Sequence, residues 1–272
     1  MGYSPDLNPS FKKLCKETNL ENHAIALILG RKGSTGLPGK NTMSILGRPA
    51  CCYPMLAAHN SQFVNRTWVS TDDENIAACA VDFGMDVIAR PAELCAADSL
   101  FEDGLVHAMA EVRKQISEDP KYVVILMCNA ICIDSTLVDA GIEALESDNK
   151  ADSAVTVSVM NMYSPLRARR LDGEGYLKPF VPFEAFGDPV NLNSERDSQG
   201  DVYYADMSHS VVRTEWLDKM EEGLLPQLWM GQSIVPIPNI YGCDLDFTWQ
   251  ISTTEWWLRE KGFTEATTPY DL

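Results

Sequence analysis

The sequence predicts an α/β fold, a mostly parallel sheet flanked by helices, and three observations carry that expectation. Two uninterrupted apolar runs, Ala24 to Leu29 and Tyr122 to Met127, have the pattern of strands buried on both faces. Shorter β-rich runs alternate with stretches of helical period, as in sheets whose parallel strands are joined by helices. The first run stops at a glycine-rich turn, the usual opening of an α/β nucleotide-binding domain.

Residues 1 to 22 are polar and read as an N-terminal extension, which leaves 23 to 272 as a single domain. After the first strand, Pro49 opens a helical stretch to Asn60, with Pro54 confining it to the last two turns. Thr67 to Ser70 is a second strand. Asp72, Asp73 and Glu74 then place acidic groups at the positive end of a helix, and Met85 to Ala89 is a third strand. Phe101 to Ile116 carries apolar residues at 101, 105, 108, 109, 112 and 116, one face of a helix. The Tyr122 to Met127 strand is followed by a helix from Ser135, read as its N-cap, to Glu146 and by a strand from Ala154 to Val159. Residues 161 to 201, rich in proline and glycine, break the alternation and read as an excursion from the sheet. Val202 to Arg213 (strand), Thr214 to Glu222 (short helix), Ser233 to Ile237 (strand) and Ser252 to Lys261 (helix) complete the chain.

Charge narrows the partners. The 272 residues hold 22 basic and 39 acidic side chains, a net charge of -17, which repels nucleic acid and anionic membrane. A polyanionic ligand must be held by a local cluster of cations. The eight cysteines form no C-x-x-C pair, and several lie in apolar runs, so they read as free thiols of a reducing, cytoplasmic compartment. No apolar run is long enough to span a membrane, and residues 1 to 23 lack a hydrophobic signal core.

The densest cation cluster near the start is the turn itself. Gly30, Gly33, Gly36 and Gly39 alternate with Arg31, Lys32 and Lys40. Glycines let phosphate oxygens approach backbone N–H groups, and the cations neutralise them. The Walker pattern fails at Ser34 and Asn41, and no G-x-G-x-x-G is present, so this is a phosphate loop of another kind or a plain glycine-rich turn. Late in the chain, Asp244 and Asp246 flank one residue; in an extended segment both side chains leave one face and can share a hard cation such as Mg²⁺.

L-G-R-K-G-S-T-G-L-P-G-K-N (29 to 41) resembles the loop of the acylneuraminate cytidylyltransferases, approximately L-A-R-x-x-S-K-G-L-P-x-K-N. V-S-T-D-D-E-N-I-A (69 to 77), R-P-A-E-L (90 to 94) and D-L-D (244 to 246) are similar to later motifs of that family, in the same order. The resemblance implies a Rossmann-like, nucleotide-diphospho-sugar transferase-like fold in which the insertion at about 161 to 201 is a dimerisation arm. It implies CTP and an acidic nonulosonic sugar as substrates, Mg²⁺ as cofactor and a homodimer. Arg31, Lys40 and Asp246 become the catalytic candidates. Gly30, Arg31, Gly33, Ser34, Gly36, Lys40, Asn41 and Arg90 would bind the nucleotide, and Asp244 and Asp246 the metal. Arg167 and Arg196 are matched to the acceptor side, where a guanidinium fork suits a sugar carboxylate.

The departures gather on that acceptor side. Thr35 replaces a loop lysine, L-M-C-N-A-I-C-I (126 to 133) stands for L-Q-P-T-S-P-L-R, and Asp206 to Ser210 stand for N-G-A-I-Y. The acceptor is therefore open to a related nonulosonic or ulosonic acid. His209 reads as a structural strand histidine or as a sugar contact or base. A glycosyltransferase using a sugar nucleotide and a catalytically silent binding protein are the alternative readings.

Overall fold

The computed structural model describes residues 23–33 and 36–271. Ser34 and Thr35 of the loop, and the extension at 1 to 22, lie outside the described residues. The strands are β1 (Ala24–Leu29), the two-residue pair β2 (Ser44–Ile45) and β3 (Arg48–Pro49), β4 (Val64–Thr71), β5 (Asp86–Ala89), β6 (Tyr122–Met127) and β7 (Ser153–Val159). They continue with the short hairpin β8 (Arg169–Leu171) and β9 (Leu177–Pro179), then β10 (Tyr203–Arg213) and β11 (Ile234–Pro238). The helices are α1 (Cys52–His59), α2 (Glu74–Asp82), α3 (Phe101–Arg113), α4 (Ser135–Ser147) and α5 (Gln250–Glu260).

Seven strands form the central sheet in the order β11-β7-β10-β6-β1-β4-β5. All neighbours are parallel except β10, which runs antiparallel between β6 and β7. The apolar run of β1 is buried at every residue because both faces of the sheet are covered. Ala24, Ala26 and Ile28 face a core built from α1, α2, α4 and α5, while Ile25, Leu27 and Leu29 face a second core with α3, Trp216 and Trp229. Strand order reverses at β1, since the chain first adds β4 and β5 on one side of it and later β6 on the other, so the carboxyl ends of β1 and β6 border the crevice where ligands bind in such sheets.

Three local expectations are corrected. The N-cap of α4 is Asp134 rather than Ser135, because the Asp134 carboxylate accepts the Leu137 N–H at 2.9 Å. Helix α1 begins at Cys52, ahead of Pro54, and tolerates the proline because first-turn N–H groups have no intrahelical acceptor. Thr214 to Glu222 is not an α-helix but two 3₁₀ turns, Thr214–Asp218 and Met220–Glu222. The excursion at 161 to 201 leaves the sheet after β7 and returns at β10, and its own structure is limited to 3₁₀ turns and the β8–β9 hairpin.

Candidate active site

A cleft opens at the carboxyl ends of β1 and β6, lined by Gly30, Arg31, Gly33, Lys40, Asn41 and Arg90, with Phe101 and Asn129 on the facing wall. Seven of the eight nucleotide-binding candidates are described residues; six of them border this one space, and Gly36 lies beside it against the Asp246 carbonyl.

The loop is held open by contacts at its foot. The Asn41 side-chain amide donates to the Arg31 carbonyl at 3.1 Å, closing the loop into a ring, and the Asn41 carbonyl accepts the Cys51 N–H at 2.8 Å. The Lys32 N–H donates to Asp72 Oδ1 at 2.6 Å, while Asp73 caps α2 by accepting from Asn75. Asp73 therefore serves a helix N-terminal N–H, as its position predicts, whereas Asp72 serves the loop. Gly33 has φ +77°, where a side chain is strained. Gly30 serves a different end: a Cβ there would meet Cys128 Sγ at 2.4 Å, and its N–H already donates to Ser70 O.

The two guanidiniums of the cleft are positioned by backbone carbonyls and the Ser70 hydroxyl rather than by acids. Arg31 donates through Nη1 to the carbonyls of Cys95 and Ala96, both at 3.0 Å. Arg90 donates to Ser70 Oγ and Ser70 O at 3.2 and 3.0 Å, and burial lowers its pKa from the ordinary arginine value. Both guanidiniums line the cleft, and among the described residues neither has a carboxylate partner in hydrogen-bond contact.

The D-L-D segment joins the cleft through an ion pair between Lys40 Nζ and Asp246 Oδ1. Residue 244 forms an antiparallel bridge with Ala130, and the Leu245 N–H donates to Asn129 O at 2.9 Å, so the segment runs extended along the chain leaving β6. Asp244 is half-buried, and its enclosed Oδ1 has no hydrogen-bond partner among the described residues. Burial first, and the Asp246 carboxylate second, push the Asp244 pKa up to about 7. An orphaned buried carboxylate oxygen two residues from a second carboxylate is a donor set that fits a hard divalent cation.

Arg167 and Arg196 lie elsewhere. Arg167 donates to Ser194 O at 2.8 Å and borders a cleft within the insertion, whereas Arg196 pairs with its neighbour Asp197 beside Asn239 and Tyr241. Neither lines the cleft of Arg31. His209 is fully enclosed, with no partner for either ring nitrogen among the described residues, and burial takes its pKa down to about 3. It packs against Gly141 of α4, away from the cleft, which settles it as a core residue.

Sequence reasoning missed Asn129 and Phe101 as cleft residues, and Asp206 as a further buried carboxylate close enough to raise the Asp244 pKa. Asp206 accepts from Ser158 Oγ at 2.7 Å and from the Ser208 N–H at 3.1 Å. The available signal for Asn129 was its place just after a buried strand. Met207, standing where the resembled family has glycine, has a left-handed backbone at φ +62°.

Comparisons with known proteins agree with this fold. An N-acylneuraminate cytidylyltransferase of Escherichia coli O18:K1:H7 is 28% identical over 188 residues, 68% of this chain but 42% of that protein, so the chain spans less than half the length of this relative. A CMP-N,N'-diacetyllegionaminic acid synthase of Legionella pneumophila is 25% identical over 204 residues, covering 74% of this chain and 85% of that protein. The solved structure of a CMP:2-keto-3-deoxy-manno-octonic acid synthetase complexed with CTP shares the fold, with a TM-score of 0.60 at 18% identity over 88% of this chain and 99% of that one. The family model described as cytidylyltransferase matches residues 25–173, more than half of the sequence, and the chain belongs to the cytidylyltransferase family.

Proposed function

We propose that the protein joins CTP to the anomeric hydroxyl of an acidic, sialic-acid-like sugar, giving a CMP-sugar and pyrophosphate, with Mg²⁺ as its cofactor. The observation that carries this reading is the Lys40–Asp246 pair, which ties the phosphate loop to the carboxylate segment at one cleft. The printed names of the Escherichia coli and Legionella relatives support the sugar class.

In this reading the sugar hydroxyl attacks the α-phosphorus in line, a new P–O bond forms, and the bond to the β-phosphate oxygen breaks. Arg31 and Lys40 offset charge growing on the departing pyrophosphate, and they cost little reorganisation because carbonyls and Asp246 already hold them. Arg90, fixed on Ser70, and the Asn41-closed loop orient the nucleotide. Asp244 and Asp246 would hold the metal, which when bound polarises phosphate oxygens. The carboxylate of the sugar is read by Arg196 or Arg167 of the insertion.

The insertion would act as the arm of a homodimer. Met162, Tyr163, Leu171, Leu177, Phe180 and Val190 of this segment are exposed, more apolar surface than a solvent-facing loop needs. The working compartment is the cytoplasm, which suits the seven free thiols described; among the described residues no helix is long and apolar enough to cross a membrane.

The test is pyrophosphate release with Mg²⁺, crossing the four ribonucleoside triphosphates with a panel of nonulosonic and ulosonic acids. Release that requires CTP and one acid is the expected result. Nucleotide binding in none of the mixtures would overturn the proposal.

A further inference from the structure

Three cysteines that the cleft does not use converge at the foot of the phosphate loop. Cys51 and Cys52 stand at the N-terminus of α1, and Cys79 comes from the second half of α2. Their Sγ atoms all lie within 4.8 Å of one another, and no histidine or carboxylate atom among the described residues joins them at that distance. Metal–thiolate bonds of about 2.3 Å in a trigonal plane put the sulfurs roughly 4 Å apart, so the three need only small movements to close on one ion. Cys51 is buried and Cys79 partly exposed, which gives the cluster a closed back and an open entrance.

The donor set selects the ion. Three sulfurs without an oxygen or imidazole ligand favour a soft d¹⁰ cation, and a structural zinc site takes a fourth protein ligand that is missing from this cluster. One thiol of the cluster is disposed to ionise, while burial raises the Cys79 thiol. A hydrogen bond with Cys51 draws the Cys52 thiol down to about 7, aided by the positive charge of Arg48, and the same hydrogen bond holds the Cys51 thiol well above the ordinary value. Helix N-termini favour thiolates in the same sense.

We propose that Cys51, Cys52 and Cys79 form a trigonal thiolate site for a soft monovalent cation, Cu(I). Each S–H gives its proton to solvent as a Cu–S bond forms, and no oxidation state changes. A backbone hydrogen bond links the site to the phosphate loop, since the Cys51 N–H donates to Asn41 O.

The full chain, reduced and anaerobic, is titrated with Cu(I) against a chromophoric chelator. One Cu(I) per chain is expected to be retained by the wild type and by Cys95→Ser, with at least a 100-fold loss of affinity in Cys79→Ser. Equal retention by Cys79→Ser, or a loss that instead follows Cys243→Ser, would overturn the proposal. X-ray absorption of the copper-loaded wild type keeps the test independent of variant folding: three sulfurs about the copper support the site, and two or fewer refute it.

Discussion

Lys40 and Asp246, 206 positions apart in the chain, are joined side chain to side chain at the mouth of the cleft. Asp246 is 43% exposed, so the pair contributes at most about 1 kcal/mol to stability. Asp246→Asn should therefore leave the urea midpoint nearly unchanged while lowering pyrophosphate release by roughly 10²- to 10³-fold. Parallel urea and turnover measurements check this, and a large stability loss with intact turnover would reverse the assignment.

Gly30 approaches Cys128 too closely for any side chain. In Gly30→Ala the new methyl meets Cys128 Sγ at 2.4 Å and Cβ at 2.7 Å, an overpacking that should cost about 1–3 kcal/mol in chemical denaturation. Adding Cys128→Ala removes the nearer contact and should recover part of the loss; strict additivity of the two changes would show that they do not touch.

His209 makes stability depend on pH. Its folded pKa is about 3, below the ordinary 6.5, so the unfolded chain binds more protons than the folded chain between those values. Stability falls as pH drops below 6.5, by about 1.4 kcal/mol for each pH unit. The Asp134 carboxylate is the charge that opposes the shift, and Gly141 and Thr156 pack or bond against the residue without charge. His209→Leu should be roughly neutral at pH 8 and more stable than wild type by about 2 kcal/mol at pH 5. Urea melts at the two pH values give the comparison.

Arg167 and Arg196 lie outside the nucleotide cleft, so their role separates in kinetics. Arg196→Gln or Arg167→Gln, in whichever position meets the sugar, should raise the KM for the acid about tenfold or more, the scale of one lost charge-assisted contact. The KM for CTP should stay within about twofold, since no nucleotide contact is removed. Equal effects on both substrates would place the residue in the common scaffold.

Much of the fold is legible because burial on two faces leaves a mark on composition. The runs at 24 to 29 and 122 to 127 coincide with β1 and β6 residue for residue. Where two residues compete for one backbone role, as Asp134 and Ser135 do at the start of α4, sequence alone chooses poorly because either side chain can accept the same N–H. The site is legible where one segment carries it: Gly30, Arg31, Gly33, Lys40 and Asn41 come from a single loop. Phe101 and Asp206 join the site only through long-range packing that neither spacing nor charge marks in advance, and Asn129 is marked only by following a buried strand. The same reason hid the thiol cluster, which needs α1 and α2 side by side.

The chain leaves the sheet at Val159 and re-enters it at Tyr203, and these two residues are direct partners in the β7–β10 ladder. Exit and return are thus fixed at adjacent points, whatever lies between them. Loop-closure entropy grows only slowly with length, by about 0.6 kcal/mol per doubling. The insertion is in this sense a cassette: it can be shortened or lengthened while the strands beneath keep their register, so this segment is free to diversify without renegotiating the folding of the sheet.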